Sequence, residues 1–189
     1  MFSLRGPVKY FVFDPVDSNI VYANSIALFR STDRGNTWNI VYPGPAEIKG
    51  IVAKGDHAEE IIITNDSTRR HVLALAVDPD NSMKLHAVIS VDNVEAYYFS
   101  DDQGENWTMG KELEPGAKNI YIDPSSPEDN RTLYITGKNS ITVREKGIWK
   151  TNTGPVNVLS INEFAGGFDK SQNKYVIYAI SGKSYFNPK

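Results

Sequence analysis

The sequence predicts an all-β protein built from a repeated antiparallel unit. Short runs rich in Val, Ile, Tyr and Phe alternate with clusters of Gly, Pro, Asn, Asp and Ser along the 189 residues. No segment keeps the 3.6-residue apolar spacing of an amphipathic helix over a helical length. Two motifs recur, which is typical of repeat architectures. The predicted strands are Tyr10–Phe13, Ile20–Ala23, Leu28–Ser31, Trp38–Tyr42, Val72–Val77, His86–Ser90, Ala96–Ser100, Trp107–Met109, Asn119–Ile122, Thr132–Thr136, Thr142–Trp149 and Tyr175–Ile180.

The first motif is an Asp-Pro pair that ends one strand and leads through a polar turn into the next. It occurs at Asp14-Pro15, Asp78-Pro79 and Asp123-Pro124. Proline fixes its own φ and has no N–H to donate to a neighbouring strand, so each preceding strand must stop there. Each pair therefore marks the turn between the first two strands of a repeat.

The second motif, Ser-x-Asp-x-Gly-x-x-Trp, occurs at Ser31–Trp38 and again at Ser100–Trp107. An Asp two residues before Gly can close a tight turn by accepting backbone N–H groups, while Gly supplies the positive φ. Trp38 and Trp107 are expected to begin the next strands as large apolar side chains that fill space between strands. A carboxylate bound by its own turn is a poor acid, base or metal ligand, so we interpret the motif as structural. The structural residues of the two copies are Ser31, Asp33, Gly35, Trp38, Ser100, Asp102, Gly104 and Trp107.

This second motif resembles the Asp-box, or BNR repeat, of β-propellers such as sialidases, xyloglucan-specific endoglucanases, the sortilin ectodomain and photosystem-assembly factors. The Asp-Pro openings are most similar to those of the xyloglucanase and sortilin-type propellers. The resemblance implies a β-propeller of four-stranded antiparallel blades, with about three to four blades in this chain. The blades would span roughly residues 8–43, 71–110 and 118–155, followed by the start of another in 156–189. A degraded third box is expected at Gly147–Gly154.

Residues 44–70 fall outside the repeat and are the expected location of a specific function. Their sequence predicts an inserted hairpin with strands at Glu47–Lys54 and Glu60–Thr64. The alternative is a degenerate blade that has lost its outer strands. Propellers usually close with about four to eight blades. Residues 1–189 are therefore expected to form a partial propeller, which self-associates or is completed by the remaining blades of a longer chain.

The composition excludes several classes of function. The chain has 20 Lys and Arg against 23 Asp and Glu, which argues against nucleic-acid binding because that requires clustered basic residues. The absence of cysteine excludes disulfides, thiolate metal sites and a cysteine nucleophile. No apolar run approaches the roughly 18 residues of a membrane span. We predict no cofactor, no resident metal and no membrane span.

Charged residues on the propeller face opposite the Asp-box turns are the candidate functional residues. Asp92, in a turn between two strands, is the first candidate for a catalytic carboxylate, and its alternative is a solvated turn residue. Asp56 and Glu59 are further candidate acids. Together with His57 they suit a metal site or an acid–base pair, or else a solvated hairpin tip. The predicted binding residues are His57, Arg69, Arg70 and Glu95, with the two arginines suited to a carboxylated sugar.

The resemblance implies two functions from different classes. One is a carbohydrate-active or glycan-binding protein similar to glycoside hydrolases, acting on a polysaccharide outside the cell or in the periplasm. The other is a noncatalytic propeller that binds a protein partner, similar to sortilin or to assembly factors. The Arg-Ile-Pro motif of sialidases is absent. The chain has Ala23-Asn24-Ser25 where the endoglucanases place a catalytic Asp, which favours the noncatalytic function.

Overall fold

The structure, a computed structural model, forms two compact units, residues 1–113 and 114–189. The segment 44–70 belongs to the first unit, and each unit is described by itself below. The described residues are 7–54, 59–153, 161–169, 171–172 and 174–181.

The first unit contains two four-stranded antiparallel meanders and one hairpin within its described residues. Sheet 1 has the strand order β1-β2-β3-β4, sheet 2 has the order β7-β8-β9-β10, and β5 pairs with β6 in the first hairpin. A 3₁₀ turn at Pro45–Glu47 precedes that hairpin. The strands are β1 (Tyr10–Phe13), β2 (Val21–Asn24), β3 (Leu28–Ser31), β4 (Asn39–Tyr42), β5 (Ile48–Lys54), β6 (Glu59–Thr64), β7 (Arg70–Val77), β8 (Leu85–Val91), β9 (Val94–Ser100) and β10 (Thr108–Glu112).

The second unit contains a third four-stranded meander, sheet 3, and a second hairpin. A 3₁₀ turn at Glu128–Asn130 lies between the first two strands of sheet 3. The second hairpin falls within 156–189, the segment predicted to start another blade, of which residues 156–160, 170, 173 and 182–189 lie outside the described residues. The strands are β11 (Asn119–Ile122), β12 (Leu133–Thr136), β13 (Ser140–Glu145), β14 (Ile148–Thr153), β15 (Ile161–Asp169) and β16 (Lys174–Ser181).

Two predictions in sheet 3 are wrong. The single strand predicted at Thr142–Trp149 is divided by a turn at Lys146-Gly147, whose φ values of 49° and 76° reverse the chain. Residues Ile148–Thr153 of the expected degraded box form strand β14, which pairs along its length with β13. A lysine at the first turn position hides this reversal in the sequence, because only glycine adopts positive φ without strain.

The three Asp-Pro pairs form similar turns. The aspartates are buried, and each carboxylate accepts the backbone N–H two residues later, at 2.8 Å for Asp14, 2.9 Å for Asp78 and 2.8 Å for Asp123. This local bond turns the chain immediately after the first strand of each sheet.

One face of sheet 1 packs directly against sheet 2. The two sheets share one apolar cluster, and the buried Asn24 side chain donates to the Val72 carbonyl oxygen across the junction at 2.8 Å. The buried members of the cluster are Ile20, Tyr22, Leu28, Val41, Tyr42, Val72, Leu75, Val77, Leu85, Ala87 and Ile89.

The first hairpin covers the opposite face of sheet 1. Phe29, Trp38 and Ile40 of that face form a buried cluster with Ile62 of β6, and Ile48 and Ile51 of β5 pack against it. The hairpin predicted within residues 44–70 corresponds to β5 and β6, which pair with each other. Sheets 1 and 2 contact each other directly, so this hairpin does not separate them, and its interpretation as a degenerate blade stays a prediction.

In the described ranges, no helix is long and apolar enough to cross a membrane.

Candidate functional site

The segment Ser31–Trp38 folds into a turn held by its own polar side chains, called here the Ser31 turn. The buried Ser31 hydroxyl donates to Asp33 Oδ1 at 2.7 Å and accepts the Gly35 N–H at 2.8 Å. Asp33 also accepts the backbone N–H and the hydroxyl of Thr37, each at 2.7 Å. Trp38 Nε1 donates to the Gly35 carbonyl oxygen at 2.9 Å.

The segment Ser100–Trp107, the Ser100 turn, repeats this arrangement. Ser100 Oγ donates to Asp102 Oδ1 at 2.7 Å and accepts the Gly104 N–H at 2.9 Å. Asn106 replaces the threonine and donates its backbone and side-chain N–H groups to Asp102 at 2.8 and 2.7 Å. Trp107 Nε1 donates to the Gly104 carbonyl oxygen at 2.9 Å.

These hydrogen bonds favour the ionised carboxylates. Bonds from Thr37 and Ser31 lower the pKa of Asp33. Slight burial opposes ionisation of Asp102, but the bonds from Asn106 and Ser100 outweigh it and lower the pKa of Asp102 as well. Both carboxylates therefore stay ionised at neutral pH and remain occupied by their own turns.

We expect the two turns to make the first unit sensitive to acid. Their folded pKa values lie below the ordinary value of 3.8, so the unfolded chain takes up protons first as the pH falls. The hydrogen bonds to Asp33 and Asp102 stabilise the folded unit fully above the pKa that these carboxyls have in the unfolded chain. This stabilisation is lost as the pH falls through their folded pKa values. Urea unfolding at neutral pH and at about pH 3 should show a smaller acid loss for the double variant Asp33→Asn, Asp102→Asn than for wild type. The control is Asp101→Asn, and equal acid losses in all three proteins would contradict this expectation.

Asp92 lies in the two-residue turn between β8 and β9, where it has a φ of 47°. Its Oδ1 accepts the Arg69 backbone N–H at 2.8 Å, and its own N–H donates to the Arg69 carbonyl oxygen at 2.9 Å. The exposed Asp92 side chain thus joins this turn to the segment that leads into β7. A catalytic role for Asp92 stays a prediction beside this structural role.

Three of the other candidates lie at the tip of the first hairpin. Asp56 and His57 are outside the described residues, and Glu59 begins β6 opposite Lys54. Among the residues that the structure describes, no three His, Asp or Glu side chains are grouped to hold a metal ion.

The predicted binding residues beside β7 have different surroundings. Arg69 is exposed, whereas the half-buried Arg70 forms ion pairs with Glu47 at 2.5 Å and with Asp66 at 2.6 Å. Arg70 Nε also donates to Thr68 Oγ1 at 2.9 Å. All three nitrogens of the Arg70 guanidinium therefore have partners.

Asp66 belongs to that network, whereas the predicted binding residue Glu95 lies on β9. Hydrogen bonds from Thr64 and Thr68 hold the pKa of Asp66 well below its usual range. Glu95 is half-buried on β9, and its carbonyl oxygen accepts the Leu113 N–H at 2.8 Å. Glu95 does not line the cleft described next.

A cleft of about 370 Å³ lies between the end of β4 and residues of β7, β8 and β9 in sheet 2. Such a volume falls in the range of small-molecule sites. Residues from β4, the 3₁₀ turn, β7, β9 and the Ser100 turn line it. The aromatic and charged members of the lining are Tyr42, Tyr98, Trp107, Glu47, Arg70 and Glu105.

The aromatic wall of this cleft is fixed by its neighbours. The Tyr42 and Trp107 rings meet edge to face with centroids 6.0 Å apart. Burial raises the pKa of Tyr42 to about 12, so its hydroxyl is neutral and can donate a hydrogen bond. Tyr98 and Trp107 remain partly exposed and offer ring surface to a ligand.

Comparison with known proteins identifies the fold. No protein-family model matches the chain, and no curated protein sequence matches it. The structure of a GH74 enzyme from Niastella koreensis is 22% identical with a TM-score of 0.52, over 84% of this chain and 23% of that chain. The GH74 xyloglucanase of Xanthomonas campestris is 16% identical, also with a TM-score of 0.52, over 90% of this chain and 28% of that one. This chain has a β-propeller fold.

The propeller prediction, with four-stranded antiparallel blades, is therefore confirmed. The chain spans about a quarter of the length of the two GH74 proteins. YCF48 from Cyanidioschyzon merolae is also similar, at 14% identity and a TM-score of 0.47, over 93% of this chain and 53% of that chain. The likeness to the two GH74 structures establishes the fold and leaves the activity to be argued from the site.

The sequence predicts Arg70 as a binding residue but does not predict the cleft to which it belongs. It places Glu47 in a strand and Trp107 at the junction of a structural turn and the next strand, and neither position indicates a ligand. One signal in the sequence is the Pro-Ala-Glu segment after Gly44, whose Glu47 side chain accepts the Gly44 N–H at 2.8 Å. That bond fixes the start of the 3₁₀ turn and places the carboxylate in the cleft lining.

Proposed function

We propose that this chain is part of an Asp-box propeller that binds a carbohydrate chain in the cleft without hydrolysing it. The observation that carries the proposal is the aromatic lining, in which partly exposed Tyr98 and Trp107 stand beside the carboxylates of Glu47 and Glu105. Aromatic rings bury large apolar surfaces, and a few placed polar groups fix a ligand's orientation. Sugar rings, with apolar faces and hydroxyl rims, suit this combination.

The proposal omits hydrolysis because the candidate catalytic positions have structural roles. Asn24 stands where the endoglucanase resemblance expects a carboxylate, and its buried amide instead binds the Val72 carbonyl oxygen. Asp92 binds the Arg69 backbone. Glycoside hydrolysis normally needs two carboxyl groups across the scissile bond, one of them able to donate a proton.

The likeness to GH74 structures adds support for a carbohydrate ligand, since one of them is a xyloglucanase. A polysaccharide ligand also favours an extracellular or periplasmic location, which we propose with it. The two turns with their paired Ser, Asp, Gly and Trp residues are the proposed Asp-boxes.

A second candidate function is noncatalytic protein binding. It is favoured by exposed aromatic side chains on the edge strand β1, where Phe11 is 50% and Phe13 is 74% exposed. Such side chains are common at protein interfaces. Loss of a pulled-down partner in Phe11→Ser, Phe13→Ser, with polysaccharide binding absent from wild type, would favour this function over the first.

We expect Tyr98→Ala to weaken polysaccharide binding about tenfold, because an aromatic contact contributes about 1 kcal/mol or more. The matched control is Tyr178→Ala, which removes a 68% exposed tyrosine that does not line the cleft. Affinity electrophoresis against a panel of plant and microbial polysaccharides measures binding, and thermal melts confirm that both variants fold.

Reducing-end assays on the same polysaccharides test the absence of hydrolysis. We expect no new reducing ends with wild type. Hydrolysis that disappears in Asp92→Asn would overturn the noncatalytic proposal and restore the catalytic prediction for Asp92. Equal binding by Tyr98→Ala and wild type would overturn the cleft as the site.

A further inference from the structure

In the described ion pairs at the cleft, the arginine side chains are less exposed to solvent than their carboxylate partners. The Arg30 side chain is 14% exposed, whereas its partner Glu105, at 2.8 Å, is 62% exposed. The Arg70 side chain is 16% exposed, whereas its partners Glu47 and Asp66 are 45% and 50% exposed. A ligand that approaches the cleft therefore meets carboxylate oxygens before it meets a guanidinium.

The two arginines are also committed to other partners. One terminal N–H group of Arg30 donates a hydrogen bond to the Gln103 carbonyl oxygen at 2.8 Å, and an N–H group of the other terminal nitrogen donates to Glu105. Arg70 donates to Glu47, to Asp66 and to Thr68. Three carboxylates thus pair with two guanidiniums, so these five side chains sum to a net charge of −1.

The aromatic side chains of the cleft, like its exposed carboxylates, favour a positively charged ligand. The faces of tryptophan and tyrosine rings attract cations through their negative quadrupole, most strongly for tryptophan. Trp107 and Tyr98 line the cleft together with Glu47 and Glu105. An ammonium group near these rings gains attraction both from the ring faces and from the exposed carboxylates.

We infer that the cleft selects a carbohydrate chain that carries protonated amines, an amino-sugar polymer, over neutral or acidic chains. The inference rests on the proposed function and names the class of its ligand. An amino sugar is favoured over a lysine side chain because it presents a ring face as well as a charge to the aromatic wall. The sequence-based assignment of Arg70 to a carboxylated sugar predicts the opposite selectivity, so one experiment separates the two.

The test compares two oligosaccharides with the same sugar backbone, one carrying protonated amines and the other carrying neutral acetamides. β-1,4-linked glucosamine oligomers are titrated by calorimetry against N-acetylated oligomers of equal length, slightly below neutral pH and at low salt. We expect the amine form to bind at least about fivefold more tightly, with the difference shrinking as salt screens the exposed carboxylates.

Charge-removing variants locate the effect. Glu105→Gln and Glu47→Gln should each weaken binding of the amine oligomer by about three- to fivefold, with a smaller change for the acetylated form. The amide introduced by Glu47→Gln retains an oxygen for the Gly44 N–H, and Glu105 is mostly exposed, so both variants should fold. Glu112→Gln is the control, because this exposed carboxylate on β10 does not line the cleft.

Each outcome separates this inference from the proposed function. Equal binding of both oligomers, or tighter binding of an oxidised, carboxylated chain, overturns amine selection but leaves carbohydrate binding intact. Failure of every oligosaccharide and polysaccharide overturns both. Binding of a lysine-rich peptide without binding of either oligomer overturns the amino-sugar ligand and identifies a basic protein segment in its place.

Discussion

Phe29→Ala is expected to destabilise the first unit by about 3–5 kcal/mol, the usual cost of removing a buried phenylalanine. The Phe29 side chain is 1% exposed and lies in the cluster that joins sheet 1 to the first hairpin. Its removal leaves a cavity in the cluster that contains Trp38, at the end of the Ser31 turn, and Ile62 on β6. Neither neighbour can fill the space without disturbing its own strand pairing.

Urea unfolding followed by tryptophan fluorescence measures this loss, because Trp38 belongs to the same cluster. Phe13→Ala is the matched control, since Phe13 is 74% exposed on β1, an edge strand of the same sheet. We expect that control to change the free energy of unfolding by no more than about 0.5 kcal/mol. Similar losses in the two variants would mean that the first hairpin does not cover this face in solution.

Gly104→Ala is expected to destabilise the protein by about 2–4 kcal/mol, more than the equivalent Gly35→Ala in the Ser31 turn. Both glycines have positive φ, 89° and 87°, where a side chain is strained. A Cβ on Gly104 would also lie 3.3 Å from Leu85 and Trp107 and 3.4 Å from Val41. On Gly35 a Cβ would meet only the Trp38 ring, at 3.4 Å.

Both variants therefore place an alanine at positive φ, but only Gly104→Ala also crowds the new Cβ against several side chains. We expect Gly35→Ala to cost only the strain, about 1–2 kcal/mol. Thermal and urea unfolding of the two single variants, measured side by side, isolate the crowding. Equal losses would mean that the Ser100 turn is not packed against sheet 1 as described.

The sequence predicts most strands of the fold because their determinants are local. The Asp-Pro turns and the two Ser-x-Asp-x-Gly-x-x-Trp turns are held by bonds within a few residues, so their residue types reveal them. The turn at Lys146-Gly147 was missed because its first position lacks a turn-forming residue. The position of the first hairpin was also beyond prediction, because it depends on which face of sheet 1 Ile62 covers.

The cleft was less predictable than the fold. The ion pair between Glu47 and Arg70 joins a residue that precedes the first hairpin in the sequence to one that follows it. The ion pair between Arg30 and Glu105 joins sheet 1 to the Ser100 turn. Nothing near Arg70 in the sequence indicates that its charge is shared by two carboxylates. The sequence therefore predicts that Arg70 is available to an acidic ligand, whereas in the structure its guanidinium is paired with Glu47 and Asp66.

Covering sheet 1 from both sides has a consequence for synthesis. Strands β1–β4 leave the ribosome before the first hairpin and sheet 2, which supply the residues that bury their two faces. Sheet 1 is therefore complete only after both of these later elements have been translated. A nascent chain stalled before β5 displays two apolar faces at once, and it is the species we expect ribosome-associated chaperones to retain.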